Sequence, residues 1–347
     1  MNPAASLIML PAGTIYRAVT RARLAAYQRG LFPVSKLAVP VISVGNITTG
    51  GTGKTPLVEW VCRTIGAVSH EESPEGKEVC VLTRGYGRAN PKTQVVVSNG
   101  RELLANEQES GDEPFLLATN LLGIAAVISN PNRVAAGEWA IETLQSEVFV
   151  LDDGFQHLRL FRDLDIVAID ATNPWGVGGL LRESLGGLSR ADCVVITRTE
   201  QVADIGPIKE TIQKIADKVP VLSSRMLTSG FRKLDGEPIE TPAQSQPIGA
   251  FCGVGNPESF FNHLRGEGLH PAFTRTFPDH HHYKQPELDS LVREAKARGV
   301  KSLLTTAKDA TKLQSLKLEI PCSVLDIRIS IDNESRLVDL IRNAVFR

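Results

Sequence analysis

The sequence predicts an α/β fold: a mainly parallel sheet flanked by helices, followed by a second, smaller α/β domain. Three observations carry that prediction. Short apolar, β-branched runs alternate with stretches of helical spacing, the pattern of parallel strands covered on both faces. One of those strands runs straight into a glycine-rich turn that opens a helix. The 347 residues are 42% apolar, 22% charged and 5% aromatic, an ordinary globular composition that argues against disorder, collagen or a coiled coil. At about 150 residues per domain the length suggests two domains.

Taken in order, the N-terminal 40 residues come first. They hold Arg17, Arg21, Arg23, Arg29 and Lys36 and no acid, although the whole chain has a net charge of −1. Their apolar part precedes the arginines and is broken by Pro11 and Gly13, so neither a cleaved signal peptide nor a membrane span is expected. A helix over 14–29 would put Ile15, Val19, Ala22 and Ala26 on one stripe with Arg17 and Arg21 beside it. That is the pattern of a helix lying in a membrane interface, or of a surface helix packed on its own domain. Strands follow at 39–44, 79–82, 94–97, 148–151, 166–169, 194–196 and 219–222. Helices lie between them at 56–65, 113–122, 133–145 and 208–218. A polar, Pro-rich stretch at 235–246 interrupts the alternation. Beyond it come strands at 248–251, 302–305 and 322–327 and helices at 258–267, 286–298 and 334–346. This divides the chain into an interfacial helix (1–30), a phosphate-binding domain (31–225) and a C-terminal α/β domain (226–347).

The balanced charge excludes a strongly basic nucleic-acid binder. Cys62, Cys80, Cys193, Cys252 and Cys322 are scattered and odd in number, as in a reduced, cytosolic protein. No motif calls for an obligate protein partner.

The sharpest chemical signal is the strand and turn Gly45-Asn-Ile-Thr-Thr-Gly-Gly-Thr-Gly-Lys-Thr55. Gly50, Gly51 and Gly53 let backbone N–H groups ring a phosphate, together with Thr48 and Thr52. Lys54 supplies a charge for the β- and γ-phosphates, and Thr55 a hydroxyl for Mg²⁺. This predicts an ATP site in a P-loop NTPase-like sheet. Thr48 stands where the usual pattern has Gly. Thr49 stands where ATPases of the partitioning type carry Lys. A second apolar strand ends in Asp152-Asp153-Gly-Phe-Gln156-His157, where such folds hold Mg²⁺. The other reading there is an ordinary Asp-rich turn. Weaker clusters are Arg84-Gly-Tyr86-Gly-Arg88, Gly111-Asp112-Glu113-Pro114 and Phe277-Pro-Asp-His280-His281-His282. Their functional readings are a ligand-binding sheet edge, a catalytic acid, and a metal site or His–Asp catalytic pair; their plain readings are a flexible turn, a first-turn helix acid and a solvated loop.

In their order along the chain these segments, with Leu181-Arg182-Glu183 and Thr305-Thr-Ala-Lys-Asp-Ala310, resemble the tetraacyldisaccharide 4′-kinase family, the lipid A 4′-kinases of Gram-negative bacteria. The resemblance spans almost the whole chain. It implies a two-domain P-loop enzyme on the cytoplasmic face of the inner membrane, peripheral to an anionic lipid surface. Such an enzyme moves the γ-phosphate of ATP, with Mg²⁺, to the 4′-hydroxyl of a tetraacyl glucosamine disaccharide 1-phosphate. It further implies Asp112 as catalytic base, assisted by His280 or His281, in a cleft between the domains. Arg133 and Arg182 sit at motif positions and would neutralise charge. Glu183 would bind metal or orient Arg182, and Tyr86 and Gln156 are further candidates. Ala307 stands where the family usually has Glu, and 70–77 looks like a small polar insertion. A reading of another class is a P-loop NTPase switch that delivers a metal or a partner protein and phosphorylates nothing.

Overall fold

The structure, a computed structural model, describes residues 20, 22–176, 181–242 and 247–346. The strands in chain order are β1 (Val41–Asn46), β2 (Val79–Thr83), β3 (Val95–Ser98), β4 (Ala125–Ser129), β5 (Val148–Asp152), β6 (Leu164–Asp170), β7 (Cys193–Thr197), β8 (Val221–Lys233), β9 (Pro238–Ile239), β10 (Ile248–Cys252), β11 (Phe273–Thr276), β12 (Ser302–Thr306) and β13 (Cys322–Ile331). The helices are α1 (Lys54–Glu72), α2 (Glu107–Ser110), α3 (Asp112–Asn120), α4 (Arg133–Leu144), α5 (Gly206–Ile215), α6 (Pro257–Gly266), α7 (Gln285–Ala297), α8 (Ala307–Ala310) and α9 (Glu334–Val345). The chain forms two compact units: Met1–Arg84 with Asn132–Ser224 and Ile331–Arg347, and Gly85–Pro131 with Arg225–Ser330.

In the first unit the strand order is β8-β7-β6-β1-β5-β2, and every pair is parallel. The central strands β1, β5, β6 and β7 are buried along their whole length. They can therefore be apolar at every position rather than at alternate ones. Ile47, Phe155, Val167, Ile169, Val194 and Ile212 form one core cluster of this unit. A strand with buried residues on both faces has no solvent side to fix its register. Here the parallel ladder fixes it, with Val44 opposite Asp152 and Asn46 opposite Ala168. That alignment ends β5 opposite Val44, two residues short of the end of β1, and the polar residues of the site begin there.

In the second unit β11-β10-β12-β13 run parallel, and the far end of β8 pairs antiparallel with β9. β3 and β4 form an antiparallel pair with an irregular register at Val96 and Ser98. One core cluster packs Phe251, Phe273, Phe277 and Tyr283 under α7 through Leu288 and Leu291.

Several elements lie outside the sequence reading. β4 opens with Ala125-Ala126, residues of low strand propensity; burial on both faces makes the strand, not propensity. β8 runs on from its expected end to Lys233 because the turn at Asp235–Gly236 returns the chain as β9, with Gly236 at φ 95°. The expected polar insertion at 70–77 begins as the last turn of α1, whose Glu71 and Glu72 pair with Arg342 of α9 at 2.6 Å. All five cysteines are buried and free. Of the interfacial helix expected over 14–29, residues 14–19 and 21 lie outside the described residues; 20 and 22–28 are helical. Among the described residues no helix is long and apolar enough to cross a membrane.

Candidate active site

The glycine-rich turn is built from the end of β1. Gly50 and Gly53 take positive φ values of 104° and 76°, and Gly53 is the N-cap of α1. A left-handed cap without a side-chain bond leaves the first N–H groups of α1 available to an anion. Neighbouring side chains brace the turn. Asn46 Nδ2 donates to the Thr48 carbonyl at 2.8 Å and to Thr52 Oγ1 at 3.1 Å. Gln156 Nε2 donates to the Asn46 carbonyl at 2.8 Å. Thr48 and Thr52 are buried, so Thr48, in place of the usual glycine, serves as a packed strut.

Sequence reasoning missed two further braces, both at the end of β7. Thr197 Oγ1 donates to the Thr52 carbonyl at 2.9 Å, and Arg198 Nη1 to the Gly51 carbonyl at 2.7 Å. Arg198 also pairs with buried Asp170 of β6. The only sequence signal for them was an apolar strand ending in Thr-Arg.

Asp153 sits at φ 57° just past β5, with Lys54 Nζ at 3.4 Å and Arg182 Nη1 at 2.5 Å. Burial raises its pKa, but the charges of Lys54 and Arg182 outweigh burial and hold it at about 2. Asp152 is buried at the end of β5 and accepts a hydrogen bond from Thr83 Oγ1 at 3.0 Å. Glu183 is taken up by Arg190, whose Nη2 lies 2.6 and 2.7 Å from its two oxygens. Arg133 is buried at the first turn of α4. Burial first, then the charges of Arg133, Arg162, Arg23 and Arg159, push the His157 pKa down to about 4, so this imidazole is neutral.

The second unit carries the other cluster. Asp112 opens α3 behind Gly111, whose φ is 94° and whose added Cβ would stand 2.5 Å from the Tyr86 carbonyl. Only glycine fits there, and it lets the Gly-Tyr-Gly turn close over the start of α3. His280, 168 residues away in sequence, places Nδ1 at 3.0 Å from both Asp112 oxygens. An ionised carboxylate only accepts, so Nδ1 carries the proton. His280 itself sits at φ 58°, and exposed Tyr86 has its ring 6.2 Å away.

His281 points elsewhere. Its Nε2 lies 3.2 Å from Glu287, and its ring stacks on Phe277 at 4.9 Å. Geometry thus puts His280, not His281, on the carboxylate.

Two lysines complete the cluster. Lys312 Nζ is 2.8 Å and Lys308 Nζ 3.8 Å from Asp112 Oδ2. Lys308 also reaches Glu113 at 2.9 Å and Asp279 at 3.4 Å. Burial opposes ionisation of Asp112. The His280 hydrogen bond and the two ammonium charges outweigh it and hold the carboxyl well below the usual range. The His280 pKa moves up, chiefly through its bond to Asp112. Because the Asp112 pKa is depressed, its ion pairs add stability that is complete above the unfolded carboxylate pKa and is lost as pH falls through the folded value.

The family profile described as LpxK, tetraacyldisaccharide-1-P 4′-kinase, matches residues 5–345. The chain belongs to this family. A curated tetraacyldisaccharide 4′-kinase from Geobacter metallireducens is 41% identical over 303 residues, covering 86% of each chain. One from Desulfotalea psychrophila is 35% identical over 320 residues, covering 90% of this chain and 89% of the relative. A crystal structure of LpxK from Aquifex aeolicus in complex with ATP superposes with a TM-score of 0.74 at 30% identity, over 97% of this chain and 98% of that one. The expected kinase family and the P-loop-type parallel sheet both stand. Within this tetraacyldisaccharide-1-P 4′-kinase family, the two clusters above occupy the motifs that carried the resemblance.

Proposed function

We propose that this chain transfers the γ-phosphate of ATP to the 4′-hydroxyl of a tetraacyl glucosamine disaccharide 1-phosphate, a step in making lipid A. The observation that carries the reading is the Asp112–His280 pair, an ionised and oriented carboxylate 3.0 Å from a protonated Nδ1, in a chain of this kinase family. A sugar hydroxyl is a weak acid. As the new P–O bond forms, its proton passes to Asp112 while the bond from the γ-phosphorus to the ADP oxygen breaks. His280 orients Asp112 and compensates its charge. Lys54 meets the β- and γ-phosphates, and Arg182 neutralises charge beside it.

The oxygen donors present fit Mg²⁺. Thr55 offers a hydroxyl on α1, and Asp152 a carboxylate oriented by Thr83. Asp153, held between Lys54 and Arg182, suits the role of tethering Lys54 better than that of ligand. When bound, Mg²⁺ supplies charge neutralisation at the phosphate oxygens. Glu183, engaged by Arg190, would have to leave that pair to bind metal or turn to Arg182.

We also assign the protein to the cytoplasmic face of the inner membrane. In support, Leu31, Phe32, Val34 and Phe161 are exposed, and Lys36 lies over the Phe161 ring at 4.8 Å. Apolar side chains among basic ones suit an anionic headgroup layer. Replacing the exposed pair with Leu31→Ser and Phe32→Ser is expected to lower sedimentation with phosphatidylglycerol vesicles; equal sedimentation would remove the membrane assignment.

The test of the activity is product analysis. Purified protein with Mg-ATP and the disaccharide lipid should yield the 4′-phosphorylated lipid and one ADP per product. ATP hydrolysis with no lipid product would favour the NTPase-switch reading instead.

A further inference from the structure

We infer that Lys312, seconded by Lys308, is a positioning residue that keeps Asp112 ionised and aimed for proton acceptance. The inference rests on Asp112 being the base.

The geometry comes from a single local device. Asp309 is fully buried and accepts hydrogen bonds from the Gly253 N–H at 3.0 Å, the Tyr283 hydroxyl at 2.9 Å and the Thr306 hydroxyl at 2.7 Å. Thr306 caps α8 in return by accepting from the Asp309 N–H. This lock fixes α8, which carries Lys308, and the turn after it, which carries Lys312. Both ammonium groups then fall on Asp112 Oδ2, while Oδ1 accepts the Glu113 N–H at 2.9 Å.

Lys312 is the stronger case. Its side chain is 2% exposed, and Asp112 is its ion-pair partner at 2.8 Å. A lysine is taken out of water only where a carboxylate repays the lost hydration. Lys308 is shared among Asp112, Glu113 and Asp279, which divides its effect.

The groups that face Asp112 are His280, Lys308 and Lys312 on the positive side and Glu107, Glu113 and Asp279 on the negative, with His282 acting on Glu107. Without the lysines, burial would press the Asp112 carboxyl towards its protonated form, opposed by the His280 hydrogen bond. A carboxylate held this acidic is a weak base in the ground state. It suffices here because in a loose phosphoryl-transfer transition state the attacking oxygen becomes acidic as the new bond forms.

The experiment compares Lys312→Met, Lys312→Arg and the unaltered enzyme in two readouts. The first is the pH profile of kcat/KM with Mg-ATP and the disaccharide lipid. Loss of one cation at this range should move the acid limb up by about one pH unit or more, a roughly tenfold loss of rate on that limb. Lys312→Arg should return the limb towards its original position. The second is the carbon-13 titration of the Asp112 carboxyl in ¹³C-aspartate-labelled protein, assigned with Asp112→Asn. Its midpoint should rise in Lys312→Met. This readout needs no turnover, so it judges the lysine even if Asp112 proves not to be the base. That separate failure would appear as normal turnover in Asp112→Asn. An unmoved acid limb or an unmoved Asp112 midpoint in folded Lys312→Met overturns the inference.

Discussion

Asp112→Asn lowers kcat by roughly 10²–10⁴-fold, the span of general-base contributions, while ATP affinity measured by calorimetry stays within about twofold. The asymmetry follows from where the charge sits. Asn keeps the shape and can still accept from Lys312 and His280, so the fold of α3 survives. It cannot take a proton from the acceptor hydroxyl. Lys54 and the glycine turn, the proposed nucleotide site, lie at the start of α1 and do not depend on Asp112. Turnover within a few-fold of the unaltered enzyme would remove Asp112 as base. Loss of ATP affinity in step with kcat would mean that the substitution disturbed the fold rather than the chemistry.

Lys54→Ala is expected to lower kcat by roughly 10²–10³-fold, the usual effect of removing one preorganised charge from a transition state. A second consequence distinguishes this site from a generic lysine. Lys54 and Arg182 share Asp153, so loss of Lys54 leaves Arg182 as the sole cation of that trio and lets the Asp153 pKa rise from about 2. Lys54→Arg should not restore the rate, because the planar guanidinium cannot occupy the place of a compact ammonium. Single-turnover assays at saturating ATP check both variants; full rescue by Arg would show that charge alone, not its position, matters at this residue.

Much of the architecture was legible because it depends on local and periodic signals. Buried parallel strands need unbroken apolar runs, and β1, β5, β6, β7 and β10 announced themselves in that way. The glycine turn and Lys54 were legible because phosphate binding demands glycine conformations and a charge at fixed spacing. β4 and the far half of β8 were not, since burial and a hairpin partner create them rather than composition. Thr197 and Arg198 escaped notice for a related reason. Their targets are backbone carbonyls about 145 residues away, and a carbonyl leaves no mark on the sequence.

The cluster around Asp112 marks the limit most sharply. By itself the sequence determined which chemical groups exist: a P-loop lysine, paired acids at a strand end, an acid at a helix start and a histidine triplet. It left open whether His280 or His281 assists, and it assigned no role to Lys308 or Lys312. Those questions turn on direction. Adjacent side chains in a loop diverge, and the left-handed backbone at His280 sends its ring to Asp112 while His281 stacks on Phe277. The lysines converge only because Asp309 anchors a turn distant in sequence from α3. A carboxylate's proton affinity is set by charges within a few ångströms, whatever their separation along the chain. Only the tertiary structure could therefore decide that Asp112 is held ionised, and by which residues.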